Sequence, residues 1–220
     1  MINFIEKELD KLKNPLEAVR QAAYMRDKFK FLGIKKPLIK NVSVELLKEF
    51  KPNLEEIVSL ANNLYYKEYR EYQYVALYLL EKIAKKLDEN HLLMLEKMIL
   101  HDSWWDSVDV LSSNIIGIVL FKLPIEARKK YLDKWENSGN MWLLRVCIIH
   151  QLKYKIDTNT NYLAYICQQS KTHQDFFIRK AIGWALREFS KTNYSWVQNF
   201  VNNNLDLSPL SKKEALRIKP

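Results

Sequence analysis

The chain has 220 residues, enough to bury a sizeable core, and its 48% hydrophobic and 28% charged residues are the balance of a folded globular protein, not a disordered one. Four glycines and six prolines are too few for the many turns of an all-β fold, so helices are expected before any pattern is read. The formal charge of +9 suits a polyanionic partner, although a merely soluble basic protein would carry the same surplus.

Apolar residues recur at intervals of three and four almost throughout. The spacing predicts helices over 2–13, 16–28, 43–50, 54–67, 70–86, 90–101, 104–122, 125–136, 140–154, 160–170, 175–190, 194–204 and 209–217. The opening "MINFIEKELDKLK" is charged from its sixth residue and is no signal peptide. Pro15, Pro37, Pro52, Pro124 and Pro209 fall at proposed boundaries, and Ser43 and Thr158 are expected N-caps. "IIGIVLF" is too short to span a bilayer. Cys147 and Cys167 lie inside apolar helical patterns without CxxC spacing, and His101 and His150 have no ligand partners at metal spacing. No metal site, disulfide or cofactor is expected, and the setting expected is cytoplasmic.

Four stretches align: "QYVALYLL" (73–80), "DVLSSNII" (109–116), "RVCIIHQL" (145–152) and "RKAIGWAL" (179–186). Their closing residues Leu80, Ile116, Leu152 and Leu186 are offset by 36, 36 and 34 positions. That period fits an all-α, HEAT-like solenoid of helical hairpins with a concave basic groove, forming a single domain over 1–220; a plain helical bundle is the alternative. In this register Gln73, Asp109, Arg145 and Arg179 are equivalent, and Trp184 follows Arg179 by five residues.

Within "SWWDSVD", Trp105 and Asp109 stand at i and i+4 and share a helix face. A carboxylate beside an aromatic wall attracts cations. The plainer reading makes Trp105 core and Asp109 solvated or paired. Trp104 points elsewhere, so one tryptophan can be core while the other is not. Arg145, inside the apolar run "MWLLRVCIIHQL", is costly to bury alone. It is either half of an ion pair, with Asp109 a candidate partner across the repeat interface, or a phosphate contact. Lys153, Lys155, Arg179, Lys180, Arg187 and Lys191 continue a positive series near Trp184, readable as a phosphate track or a solvated face. Tyr65, Tyr66, Tyr69, Tyr72, Tyr74 and Tyr78 suit packing between helices better than stacking on nucleic acid.

Together "MRDKFKFLGIKKP" (25–37), "SWWDSVD" (103–109), "WLLRVCIIHQLKYK" (142–155) and "FFIRKAIGWALREFSK" (176–191) resemble the AlkD-type DNA alkylation-repair glycosylases, a HEAT-like repeat family, from about residue 10 to 205. The resemblance implies that Trp105, Asp109 and Trp184 carry the chemistry and that Arg145 contacts DNA beside the acid. It places an N-terminal aromatic contact at Tyr24 and backbone contacts at Lys153 and Arg187; Arg179 joins them from the positive series. The activity implied is hydrolysis of the N-glycosidic bond of cationic N3- or N7-alkylated purines in duplex DNA. Its substrates would be 7-methylguanine, 3-methyladenine and bulky adducts, taken without a base-flipping pocket, lyase step, cofactor or metal. The protein implied is a monomer that joins the nucleoid when bound to DNA. The alternative is a non-catalytic helical-repeat module binding nucleic acid or a protein.

Overall fold

A computed structural model describes residues 1–217, and among them no strand forms; a lone bridge joins Lys30 and Tyr69. The helices gather into two compact units, residues 1–87 and the residues from 88 on.

The first unit holds α1 (Ile2–Asp10), α2 (Pro15–Tyr24), α3 (Lys36–Phe50), α4 (Leu54–Tyr65) and α5 (Arg70–Ile83). Asn14 caps α2 by accepting from the Glu17 N–H at 3.1 Å, and Pro15 opens the helix where its missing N–H costs nothing. The expected helix 16–28 stops at Tyr24, because Arg26 and Asp27 enter the left-handed region at φ 57° and 55°. α3 starts at Lys36 rather than at 43. Pro37 sits in its first turn, where proline is pre-shaped for a helix. Ser43 is therefore not a cap: it is buried mid-helix and its hydroxyl donates back to the Ile39 carbonyl at 2.9 Å. A capping box joins Asn53 and Glu56 at the head of α4.

The FLGI turn before α3 is organised by a buried acid. Glu71 of α5 has no exposed surface, and its carboxylate accepts the N–H groups of Leu32, Gly33 and Ile34 at 2.9, 2.9 and 3.1 Å. Gly33 lies at φ +85°, and a Cβ there would stand 2.0 Å from the Asn14 carbonyl oxygen, so the turn requires glycine. α2 hangs from this turn. The Asn14 N–H donates to the Leu32 carbonyl at 2.9 Å, and the Gln21 amide to the Ile34 carbonyl at 3.2 Å.

The second unit contains α6 (Leu92–Leu100), α7 (Trp105–Val110), a π-helical stretch (Leu111–Ile116), α8 (Gly117–Lys122), α9 (Ile125–Glu136), α10 (Met141–Ile149), α11 (Thr160–Ser170), α12 (Phe176–Ser190), α13 (Tyr194–Asn203) and α14 (Pro209–Ala215). α10 packs against α6, α7, α9, α11 and α12. α12 packs in turn against α11, α13 and α14. These successive helical pairs form a helical repeat fold around a core that includes Val108, Ile115, Trp135, Val146, Ile166, Ile182 and Leu186. The single helix expected over 104–122 is interrupted by the π stretch. Ser112 and Ser113 donate to the Val108 and Asp109 carbonyls at 2.6 and 2.8 Å there, offering the backbone an alternative to regular α geometry. The cap of α11 is Asn159, not Thr158: the Asn159 side chain accepts from Tyr162 N–H at 3.0 Å, while the Thr158 hydroxyl donates to the Lys155 carbonyl at 2.8 Å.

Candidate active site

α7 is a short helix whose first residue is Trp105 and whose fifth is Asp109. The two tryptophans divide as i and i+1 positions must. Trp104, 7% exposed, enters a cluster with Trp142 and Phe177, with ring centroids 5.8 Å and 5.0 Å away, and Trp142 and Phe177 lie 5.3 Å apart. Trp105 stays half-buried on the Asp109 face. The π stretch begins at Leu111, two residues after Asp109, and changes the angular register between α7 and α8.

Arg145 of α10 grips Asp109. Its Nε and Nη2 donate to the two carboxylate oxygens at 2.7 and 2.8 Å, a bidentate pair. Its Nη1 donates to the backbone carbonyl of Phe177 in the first turn of α12. One guanidinium thus ties α7, α10 and α12 together. Positions 109 and 145, one repeat apart in the sequence, meet in space. The Arg145 side chain is 3% exposed and that of Asp109 is 17% exposed. Of the two readings of Arg145, the ion pair is formed: each of the three guanidinium nitrogens donates one bond inside the protein. Asp109 keeps a lone pair on each oxygen for an outside group. Burial pushes its carboxyl above the ordinary carboxylate value. The bond and charge of Arg145 pull against that rise, and the buried Asp106 adds to it.

The remaining predicted residues are dispersed. Trp184 is half-buried on α12, next to Gly183. Arg179 donates through Nε to the His173 carbonyl at 2.9 Å and through Nη2 to Gln174, bracing the loop before α12. Arg187 pairs with Glu214 of α14, which also takes Lys180 at 2.7 Å. Lys153 is exposed after α10, and Tyr24, 72% exposed, ends α2 in the first unit. Sequence reasoning missed Phe177, whose carbonyl and ring both serve the site. It missed Glu214, which neutralises part of the positive series, and the π stretch behind Asp109. Only the doubled "FF" at 176–177 hinted at the first. Among the described residues no three His, Cys, Asp or Glu side chains gather as a metal site would need, and no helix is long and apolar enough to cross a membrane.

Comparison with known proteins bears on this geometry. A search of curated protein sequences finds no match. Among solved structures, the chain is similar to one described as a predicted DNA alkylation repair enzyme from Enterococcus faecalis. The two are 33% identical over 92% of this chain and 94% of that one, with a TM-score of 0.83. AlkD2 from Streptococcus mutans shares the fold at 19% identity and a TM-score of 0.61, covering 90% of this chain and 97% of its own. The family model described as DNA alkylation repair enzyme matches residues 5–218. With nearly its whole length matched, the chain belongs to the DNA alkylation repair enzyme family, and its role is in alkylation repair.

Proposed function

We propose that the protein is a monofunctional DNA glycosylase that hydrolyses the N-glycosidic bond of N3- and N7-alkylated purines in duplex DNA. The observation that carries this reading is the Asp109 carboxylate: held in two bonds by Arg145, it keeps a 17% exposed edge on the face it shares with Trp105. Alkylation at N3 or N7 leaves the base cationic. The base departs with the bond electrons as a neutral purine, so no general acid is required. The deoxyribose gains oxocarbenium character, as in other glycoside cleavage. A carboxylate fixed beside that sugar stabilises the developing charge and orients a water. The water oxygen bonds to C1′, and its proton leaves to solvent. Trp105 and Trp184 offer π faces to the cationic sugar and keep bulk solvent away.

In this reading Arg145 is a positioning residue for Asp109 and not the DNA contact that the family resemblance implied. Contact with the duplex falls to Tyr24, Lys153, Arg179 and Arg187, and the two units serve one glycosylase domain acting as a monomer in the cytoplasm. A pure DNA-binding module gains nothing from an anion presented to phosphate, which repels it. The completeness of the Arg145 pair supports the second reading, in which Asp109 is structural. Methylated duplex DNA separates the two, with free bases read by chromatography. The parent should release 7-methylguanine and 3-methyladenine, and Asp109→Asn should lose about 10²–10³-fold in rate with affinity retained. Release at the parent rate by Asp109→Asn assigns the carboxylate to structure alone.

A further inference from the structure

His150 lies five residues after Arg145, about 140° around the helical path of α10, so it faces away from the Asp109 pair. His150 is among the residues that line a cavity of about 410 Å³ bounded by α9, the end of α10 and α11. That volume lies in the range of small-molecule sites. His150 is 1% exposed. Its Nδ1 faces the Cys147 carbonyl at 2.9 Å, and a carbonyl can only accept, so Nδ1 carries the proton and Nε2 is left as an acceptor. No group among the described residues donates to Nε2. Burial drives the His150 pKa down to about 4, which keeps the ring neutral at physiological pH.

The other walls define what fits. The Tyr162 ring meets His150 edge-on at 5.5 Å and continues to Tyr165 at 6.1 Å, and Leu132 adds an aliphatic side. The charges near the cavity are already engaged. Arg128 donates to the carbonyls of Leu120, Phe121 and Leu123 at 2.9, 3.0 and 3.3 Å, and Lys129 pairs with Asp133 at 2.5 Å. An anion would have to take these groups from existing partners. The Gln151 amide is bonded both ways to the Asn159 backbone, at 2.9 and 3.4 Å, which holds the wall in place before any ligand arrives.

We propose that this cavity is a second binding site, for a neutral planar nitrogen heterocycle of purine size, free or as a nucleoside, whose ring N–H or exocyclic amine donates to His150 Nε2 and whose faces lie against Tyr162 and Tyr165. An aromatic-lined cavity with one acceptor that no protein group serves selects a ring with a donor over a hydrocarbon, because only the donor gives that acceptor a partner.

The test titrates the full-length protein with adenine, adenosine and adenosine monophosphate, by calorimetry and by the imidazole nitrogen resonances of His150. Saturable binding of adenine or adenosine that moves the Nε2 resonance is expected, and the tighter of the two identifies free base or nucleoside as the source. Asn161→Trp, at an exposed rim position, should weaken binding at least tenfold without changing the melting temperature. His150→Phe should abolish binding. Asp109→Asn should leave it intact, so the outcome is independent of the glycosylase reading. No saturation at millimolar concentration, tighter binding of the monophosphate than of adenosine, or binding indifferent to both cavity variants overturns the proposal.

Discussion

Glu214 on α14 closes an ion pair with Arg187 on α12, and the same carboxylate takes Lys180 at 2.7 Å. Gly183 makes this possible: a Cβ there would stand 2.4 Å from the Glu214 Cβ, so the C-terminal helix lies directly along α12. Two cations that read in the sequence as a phosphate track are therefore drawn into the fold, and DNA must share them with Glu214. Lys180, then Arg187, hold the Glu214 carboxyl below its ordinary value. Glu214→Gln should therefore raise affinity for duplex DNA and steepen the dependence of log K on log salt by about one to two units, read by anisotropy across salt concentrations. An unchanged slope would show that neither side chain reaches a phosphate. A folded-state pKa lowered by pairing contributes stability above the unfolded value that is lost as pH falls through the folded value. The variant should accordingly melt below the parent at pH 7, with the difference closing in acid.

The Asp109–Arg145 pair should respond unequally to loss of either partner. Asp109→Asn keeps the shape and leaves the amide oxygen to accept from Arg145, but its amide nitrogen cannot accept, so one of the two guanidinium bonds is lost, while the carboxylate that burial disfavours is removed. Its stability should fall by about 1.5–3 kcal/mol, the scale of one hydrogen bond to a charged group, while excision collapses. Arg145→Ala strips the carboxylate of its counter-charge and frees the Phe177 carbonyl in one step. A loss of about 3–5 kcal/mol is expected from denaturant unfolding, the scale for breaking a buried pair on one side. Equal losses would mean that the pair is screened as a surface pair is.

Because burial raises the Asp109 carboxyl, the ionised form that the reaction uses should disappear at a higher pH than for an ordinary aspartate. Single-turnover excision should fall on an acid limb above the usual carboxylate range, with duplex affinity level across the same window. For stability the sign is opposite to that of Glu214. A raised acid pKa favours the folded state at low pH, and that contribution is lost as pH rises through the folded value. An acid limb at ordinary aspartate pH would mean that Arg145 outweighs burial.

The helices and the pairing of positions 109 and 145 were legible because both rest on periodicity: apolar spacing of three and four residues, and a repeat near 36 residues that brings equivalent positions together. What was not legible depends on side chains meeting across long separations. Nothing near Arg187 in the chain announces Glu214, 27 residues on, and nothing in "DVLSSNII" distinguishes a π stretch from an α-helix except two serines that can bond the backbone. Ser43 misled for a local reason. A serine before an acid looks like a cap, yet Pro37 had already begun the helix.

Glu71 offers a test of how α2 is presented. Its carboxylate holds three consecutive N–H groups at Leu32, Gly33 and Ile34, and α2 is bonded to the carbonyls of that same turn. Glu71→Gln keeps the size, but its amide nitrogen cannot accept, so at least one of the buried N–H groups loses its partner. A loss of about 2–3 kcal/mol is expected, the scale of a hydrogen bond to a charged acceptor. Hydrogen exchange should quicken at Leu32, Gly33 and Ile34 before it does in α5. Tyr24 ends the helix that this turn carries. If Tyr24 contacts the duplex, Glu71→Gln should raise the KM for methylated DNA while kcat at saturating DNA stays near the parent, and Tyr24→Ala should reproduce the KM change without the loss of stability. A fall in kcat at constant KM would instead mean that the turn acts on the chemical step and not on the grip.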